Sequence, residues 1–445
     1  MKIRSLLILA VMALVAGGFQ SCKSDQSADA TDLLKTVPSD ASLVAVANVE
    51  SLLTKAGCEV DGSDIKPGKA ISAIIPTITD QRFQKLCNAF YNGESGIDPS
   101  VALVFAEGYY TYVTGLVSDP AKFRKIVEEN YSAKFEQHDG VETASCVALA
   151  DNRFWINMNQ GSVDPQAIKH FLSLGEDQSF LANSYADNLV KIEKDIMGWG
   201  SIAGVLNTAN VGFQERATFQ VALQMLFEDV TNFTFDVDFD KGEAETSVSL
   251  INSKGKMAKY LFPTEKLDLE TIKKVKGSAA FLLAFSAPAK LVEQIKEDAS
   301  QKGPSMLGVF IQAFSPVDGT IAWAASEDGD SMSGVVATTG ENTADLSSLL
   351  SETGATVNKD GKYLLFSKGA MTGADNVADM ADDLKGAMAG MVVGNSIFSK
   401  PGRDLGINRV VIRFVPEHSG VEMKINVIGK DKNKNILLSI LESAK

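Results

Sequence analysis

The residues able to do chemistry are few and scattered. The chain of 445 residues holds three histidines, His138, His170 and His418, and four cysteines, Cys22, Cys58, Cys87 and Cys146. His138 precedes an Asp-Gly turn, His170 neighbours Phe171 on a predicted helix, and His418 falls in a predicted hairpin turn. None has a second His or a Cys at ligand spacing, so the local pattern of a zinc site is absent. No Gly-x-Ser-x-Gly nucleophile elbow occurs. The run Gly198-Trp199-Gly200-Ser201-Ile202-Ala203-Gly204 comes nearest to a glycine-rich loop, but it has neither dinucleotide nor phosphate-loop spacing. It reads as a glycine-rich turn beside a packed tryptophan.

Carboxylates gather in three places. Asp236, Asp238 and Asp240 alternate along a predicted strand, Asp375, Asp379, Asp382 and Asp383 line one side of a predicted helix, and Glu327-Asp328-Gly329-Asp330 forms a predicted turn. Clustered carboxylate oxygens attract Ca²⁺, yet none of the three has the alternating Asp/Asn loop and distal Glu of a dedicated site. Each reads as a solvated face or turn, and no metal or other cofactor is expected. Aromatic residues offer the better binding surface. Tyr110 and Tyr112 share a strand face, and Trp155 shares one with Asn157 and Asn159, a flat ring beside amides suited to stacking on a sugar. The competing reading of the same rings is packing under a helix.

The cysteines divide by place. Lys2 and Arg4 open the chain, an apolar run extends from Leu6 to Phe19, and Ser21-Cys22 closes it. About fourteen apolar residues are too few for a transmembrane helix, which needs roughly twenty, and they suit a signal peptide. A small residue directly before Cys suits lipoprotein processing. The expectation is a signal peptide over residues 1–21, then a tether over residues 22–36 that starts at Cys22, acylated with chains such as palmitate. Two or more acyl chains hold a protein stably on a bilayer, so the expected partner is a membrane met through lipid. Cys58 follows the helix-ending Gly57, and Cys87 lies on the inward helix face with Phe83, Leu86 and Phe90. These two are either a disulfide or two buried thiols, and Cys146 reads as a buried strand thiol.

Composition sets the frame for these residues. With 45% hydrophobic and 22% charged residues the chain is that of a packed globular protein, long enough for one large or two ordinary domains. Its formal charge of −14 becomes −16 once a leader carrying Lys2 and Arg4 is removed. An acidic surface without a basic cluster repels phosphate backbones, which excludes nucleic acid as a partner.

Local patterning predicts an α+β fold of mainly antiparallel sheet with helices packed on one face. A strand from Ser42 to Val49 runs straight into a helix, Val101 to Ala106 and Tyr109 to Val117 flank the turn Glu107-Gly108, and Asp119-Pro120 and Asp164-Pro165 each start a helix. From Phe233 to Asp240, aromatic and acidic residues alternate, giving one apolar and one polar face. A similar order recurs later. Ser278 to Phe285 runs into a helix from Pro288, Ile321 to Ala325 and Ser333 to Ala337 flank a turn, and Val410 to Phe414 with Val421 to Ile428 parallels the Phe233 hairpin. Two related halves, an internal repeat, are expected over residues 37–265 and 275–445.

Gly18-Phe19-Gln20-Ser21-Cys22 resembles the loose lipobox of Bacteroidota lipoproteins, in which an acidic residue soon after the cysteine, here Asp25, accompanies display at the cell surface. Val37-Pro38-Ser39-Asp40-Ala41-Ser42-Leu43-Val44, with Leu52-Leu53-Thr54-Lys55-Ala56-Gly57 behind it, resembles the start of a family of Bacteroidota lipoproteins bearing a domain of unknown function. The resemblance implies an outer-membrane lipoprotein, on the surface or the periplasmic face, and carries no catalytic residue across. The functional expectation is a lipid-anchored envelope protein with a non-catalytic binding, scaffolding or assembly role towards a glycan or an envelope protein. Two alternatives stay open. One is a surface hydrolase of glycan or peptide that uses two carboxylates about five ångströms apart, and the other is a glycan-capturing lipoprotein of nutrient uptake.

Overall fold

The computed structural model describes residues 28–62, 64–78, 81–159, 161–208, 212–301, 313–400 and 403–443. The expected signal peptide and Cys22 lie outside the described residues. The chain divides into two compact units. The first takes the described residues up to Gln224, Asp229–Met257 and those from Asp431 onward; the second takes Met225–Glu228 and Ala258–Lys430. The division expected between residues 265 and 275 is thereby corrected in two places. It falls at Met257, and the end of the chain returns to the first unit, where Leu437 and Leu441 of the apolar helix Ile436–Ser443 join the core cluster that holds Leu52, Leu53 and Ile71.

The main sheet of the first unit contains β1 (Leu43–Asn48), β2 (Ile97–Glu107), β3 (Tyr110–Val117), β4 (Glu136–His138), β5 (Val141–Ala144), β6 (Val147–Ala150), β7 (Arg153–Asn157), β8 (Ile196–Ser201), β9 (Val230–Phe239) and β10 (Glu243–Asn252). They lie in the order β4-β5-β6-β7-β3-β2-β1-β8-β9-β10, every pairing antiparallel. The second unit has β11 (Phe281–Ala287), β12 (Val317–Ala325), β13 (Met332–Thr338), β14 (Thr356–Asp360), β15 (Tyr363–Lys368), β16 (Ala389–Val393), β17 (Ile407–Glu417) and β18 (Gly420–Gly429). Their order is β14-β15-β13-β12-β11-β16-β17-β18, again antiparallel throughout. The fold class is α+β.

Helices cover both faces of each sheet, which corrects the expectation of one. In the first unit Val44, Phe105, Tyr112 and Trp155 meet Ile168 and Phe171 of helix Pro165–Leu172 and Leu189 of helix Ala186–Val190. On the opposite face Ala47 and Ala102 pack on Leu52 and Leu53 of helix Val49–Lys55, and Val113 and Phe154 on Phe123 and Val127 of helix Pro120–Tyr131. In the second unit Leu282, Ala284 and Val392 pack with Ile272 and Met380, while Ile321, Val336 and Leu364 pack with Val292 and Leu346. The physical reason lies in neighbours such as Tyr112 and Val113. Successive strand residues point to opposite faces, so two apolar neighbours require a cover on each.

Local chemistry starts the helices where the residue types require it. Asp119 accepts hydrogen bonds from Ala121 N (3.0 Å) and Lys122 N (3.1 Å), Asp164 accepts one from Gln166 N (2.9 Å), and Pro occupies the next position in both. The tether expected over residues 22–36 ends sooner than its polarity suggested. Ala28–Asp29 pairs with Lys191–Ile192, and helix Thr31–Leu34 withdraws Leu33 and Leu34 from water.

Gly198 to Gly200, expected as a turn, forms strand β8 instead. Gly198 stands opposite Phe235 and Gly200 opposite Phe233 on β9. A Cβ on Gly198 would lie 2.3 Å from Phe235 Cζ, and one on Gly200 would lie 2.5 Å from Phe233 Cζ, so the bare backbone is what lets the rings lie across the strand. The same device joins Gly115 to Phe154 across β3 and β7, and Gly334 to Phe366 across β13 and β15. Gly200→Ala should therefore cost about 1–3 kcal/mol of stability in urea unfolding, as overpacking does. Adding Phe233→Leu should recover part of that loss, and a Gly200→Ala protein as stable as its parent would show that the ring does not rest on the glycine.

Candidate functional site

The residues singled out from the sequence are not assembled into one site. Trp155 is fully withdrawn from water and Tyr112 nearly so; Tyr112 stacks on Phe105 at 5.2 Å between ring centroids and meets Phe171 edge-on at 5.3 Å. Both are core residues, because their strand face lies under helix Pro165–Leu172; of the two readings open for them, packing under a helix holds and sugar stacking does not. Tyr110, at 51% exposure, keeps its ring in water. Cys58 and Cys87 are free thiols rather than a disulfide, buried in one core cluster with Tyr91. Burial pushes the Cys58 thiol up to about 11 and the Cys87 thiol up to about 12. Cys146 is a partly exposed thiol rather than a buried one.

The acidic runs are engaged in ion pairs and a turn. Arg409 Nε lies 3.0 Å from Asp375 Oδ1, its Nη1 lies 2.8 Å from Asp383 Oδ2, and Lys273 Nζ lies 2.9 Å from Asp382 Oδ1. In the turn between β12 and β13, Asp330 N donates to Asp328 Oδ1 at 3.0 Å. Among the described residues no group of three or more His, Cys, Asp or Glu is placed to hold a metal ion. His138 ends β4, His170 lies in the last turn of its helix, and His418, with φ of 51°, sits in the turn joining β17 to β18.

A buried charge network went unforeseen. Asp195, directly before β8, accepts from Ser51 Oγ at 2.6 Å, Lys55 Nζ at 2.8 Å and Phe239 N at 2.7 Å. Lys55 Nζ also donates to Asp238 Oδ1 at 2.7 Å, and Lys194 Nζ to Asp238 Oδ2 at 3.0 Å. Burial pushes the Asp195 carboxyl above the usual carboxylate range, against the pull of Lys55 and Ser51. Burial opposes ionisation of Asp238 too, but Lys55 and Lys194 hold its carboxyl below that range. The Lys55 ammonium, despite its burial, is held above its ordinary range by Asp195 and Asp238. Both carboxylates are taken up in bonds, so the network fastens helix Val49–Lys55 to β8 and β9 and offers no free base. Its hydrogen-bonded partners lie up to 183 residues apart, and nothing in their local sequence announces it.

The best-furnished open surface is the tip of the β2–β3 hairpin. Gly108 turns the chain at φ 56°, leaving Tyr109 at 85% and Tyr110 at 51% exposure. Asn159 fixes the tip from beside it: its Oδ1 accepts from Thr111 N at 2.8 Å and its Nδ2 donates to Tyr109 O at 2.9 Å. Behind the rings, burial raises the Glu107 carboxyl above the usual range; Asp40 adds to the rise and His170 opposes it. Burial also pushes the Tyr112 hydroxyl up to about 12, with Glu107, Tyr110 and Asp164 contributing. Two open rings on a fixed turn can stack on a ring-shaped ligand while the carboxyl beside them hydrogen-bonds, which is equipment for binding. Tyr110 was the sequence's pointer to this tip; Glu107, Asp40 and Tyr109 carried no pattern that set them apart.

No family model and no curated protein matches the chain. Among solved structures, crystal form III of TP0453 aligns at 10% identity with a TM-score of 0.29, covering 78% of this chain and 96% of that one. Crystal form I of TP0453 aligns at 10% identity with a TM-score of 0.28, covering 78% and 95%. A likeness at this level carries no argument about fold or function.

The thiols can be checked directly. A thiol with a pKa near 11 is about 0.1% thiolate at pH 8, so Cys58 and Cys87 should resist a thiol reagent in the native protein while Cys146 reacts. In non-reducing denaturant all three should react. A non-reducing peptide map that joins Cys58 to Cys87 would contradict the free-thiol arrangement.

Proposed function

We propose that the protein is a lipid-anchored component of the cell envelope, held at the outer membrane, with a non-catalytic binding, scaffolding or assembly role. The observation that carries the anchor is the run from Lys2 and Arg4, through the apolar stretch ending at Phe19, to Ser21-Cys22. From Cys22 to Ala28, the first described residue, a chain can reach no more than about 20 Å. An acylated Cys22 would thus keep the first unit beside the bilayer. Asp25 favours the outward face.

The two units are best read as related halves, and several correspondences support this. The order β7-β3-β2-β1-β8-β9-β10 in the first unit matches β15-β13-β12-β11-β16-β17-β18 in the second. A four-residue helix starts twelve residues before the first strand in each, Thr31 before Leu43 and Leu269 before Phe281. The glycine-phenylalanine pairs Gly115 with Phe154 and Gly334 with Phe366 occupy the same place in the matched order.

Support for binding over catalysis comes from what the polar residues already do. Asp195, Asp238, Asp375 and Asp383 are taken up in ion pairs, while Tyr109 and Tyr110 stand open beside Glu107. That open pair favours glycan capture as the second reading.

Proteinase treatment of intact cells, with Cys22→Ala beside the parent, tests the proposal. The parent should fractionate with membranes and be cleaved while cells stay sealed, and Cys22→Ala should be released from the membrane fraction. A Cys22→Ala protein that still sediments with the outer membrane would overturn the anchor, and a parent cleaved only after lysis would move it to the periplasmic face.

A further inference from the structure

Beside the open rings of the β2–β3 hairpin lies a partly buried carboxyl, Glu107, with a second one, Asp40, acting on it. Glu107 and Tyr110 stand opposite each other in the ladder, and Tyr112 follows Tyr110 two residues on, so the three side chains share one sheet face. Helix Pro165–Leu172 covers that face over Tyr112, and the face emerges into water at Tyr110. Asp40 reaches the same rim from the chain entering β1, whose Leu43 pairs with Ala106. Other withdrawn carboxylates of this unit are paired, Asp195 and Asp238 with Lys55 and Glu142 with Arg124. Among the described residues Glu107 and Asp40 have no salt-bridge partner. Lys169 on the covering helix is taken by Asp139 at 2.9 Å, and His170 acts on Glu107 without bonding it. Tyr112, though 2% exposed, hydrogen-bonds no described residue through its hydroxyl, on which Glu107, Tyr110 and Asp164 act.

We infer that this rim is a docking site for an arginine side chain presented by a protein partner, its guanidinium lying on the Tyr110 ring and pairing with Glu107; the inference rests on the binding role proposed above. The chemistry of the rim selects the occupant. A guanidinium is planar and always charged, and it stacks on an aromatic face while its edge forks onto a carboxylate, so one group meets both the ring and the acid. A lysine ammonium is a compact point charge that meets the acid but does not stack. A neutral sugar can lie on the ring, yet it leaves two neighbouring carboxylates uncompensated, and burial together with Asp40 already disfavours charge on Glu107. A second copy of the chain, at a net charge of −14, brings like charge to the site. Asn159, bonded to Thr111 N and Tyr109 O, holds the turn, so the backbone that carries the rings is ordered before a partner arrives.

The test titrates the purified mature chain into a fluorescent peptide, Gly-Ser-Arg-Gly-Ser-Arg-Gly, and into its lysine counterpart, with binding read by anisotropy. The arginine peptide should bind about fivefold more tightly than the lysine one, and Glu107→Gln and Tyr110→Ala should each weaken it about fivefold. Tyr110→Phe, which keeps the ring, should bind as the parent does. So should Glu129→Gln, which removes an exposed acid from helix Pro120–Tyr131 on the opposite face of the sheet. Urea unfolding of each variant separates a lost contact from a lost fold. No arginine-peptide binding up to about 1 mM would overturn the inference, as would equal weakening by Glu107→Gln and Glu129→Gln, which would mark attraction to net charge alone. Binding of a neutral dextrin that Tyr110→Ala abolishes, with no preference for arginine, would overturn it in favour of the sugar. Because the peptide is read on purified protein in solution, its failure is distinct from a failure of membrane attachment, which the proteinase treatment reads.

Discussion

Each sheet depends on a first strand whose two edges must both be filled. Leu43 of β1 pairs with Ala106 on one side and Gly200 on the other, so the ladder joins residues far apart in the chain. The strand's side chains suit that place. Val44 and Val46 are sealed on one face, and on the other the small Ala47 lets helix Val49–Lys55 fold straight back over the sheet. Asp195 stands where β8 arrives on the far edge and binds Ser51 and Lys55 of that same helix. The nearest helix and the more distant of the two strands that pair with β1 are thus fastened at one junction. Loop closure of this length carries an entropy cost that only the completed pairing offsets.

The rest of the architecture follows from that central strand. Strands added on either side carry apolar residues on both faces, and each face is closed by helices. Where a glycine stands opposite a phenylalanine on the paired strand, the ring crosses over it, as Phe233 and Phe235 do over Gly200 and Gly198. The second unit repeats the scheme about β11, between β12 and β16. What remains in water is then informative. The open rings at Tyr109 and Tyr110 and the exposed Phe213, Phe219, Val221 and Met225 of helix Phe213–Leu226 are apolar surface that the core does not use.

Sequence patterns revealed those features whose cause is local. Asp-Pro pairs start helices because the carboxylate and the fixed proline angle act within three residues, and the hairpins at Glu107-Gly108 and Glu327 to Asp330 follow from turn chemistry. Alternation tells which residues share a strand face but not whether a helix lies over it, so it leaves Tyr112 and Trp155 with two readings, of which the packed one holds. The glycines of β8 resembled a turn because the rings that need them lie on a strand that begins only at Val230. Leu33 and Leu34 were hidden in a polar stretch, and the Asp195 network is assembled from distant residues. At the candidate site only Tyr110 was visible, since exposure is a property of the finished fold.

The proposed anchor and the fold make one account, in which acyl chains at Cys22 would hold a doubly covered antiparallel scaffold at a membrane and leave its open surfaces for partners. The mass of the N-terminal peptide from protein extracted out of membranes tests this most directly. The account expects a peptide that begins at Cys22 and is heavier by a diacylglycerol and an amide-linked acyl chain. A peptide beginning at any other residue, or a Cys22 peptide without lipid mass, would contradict it.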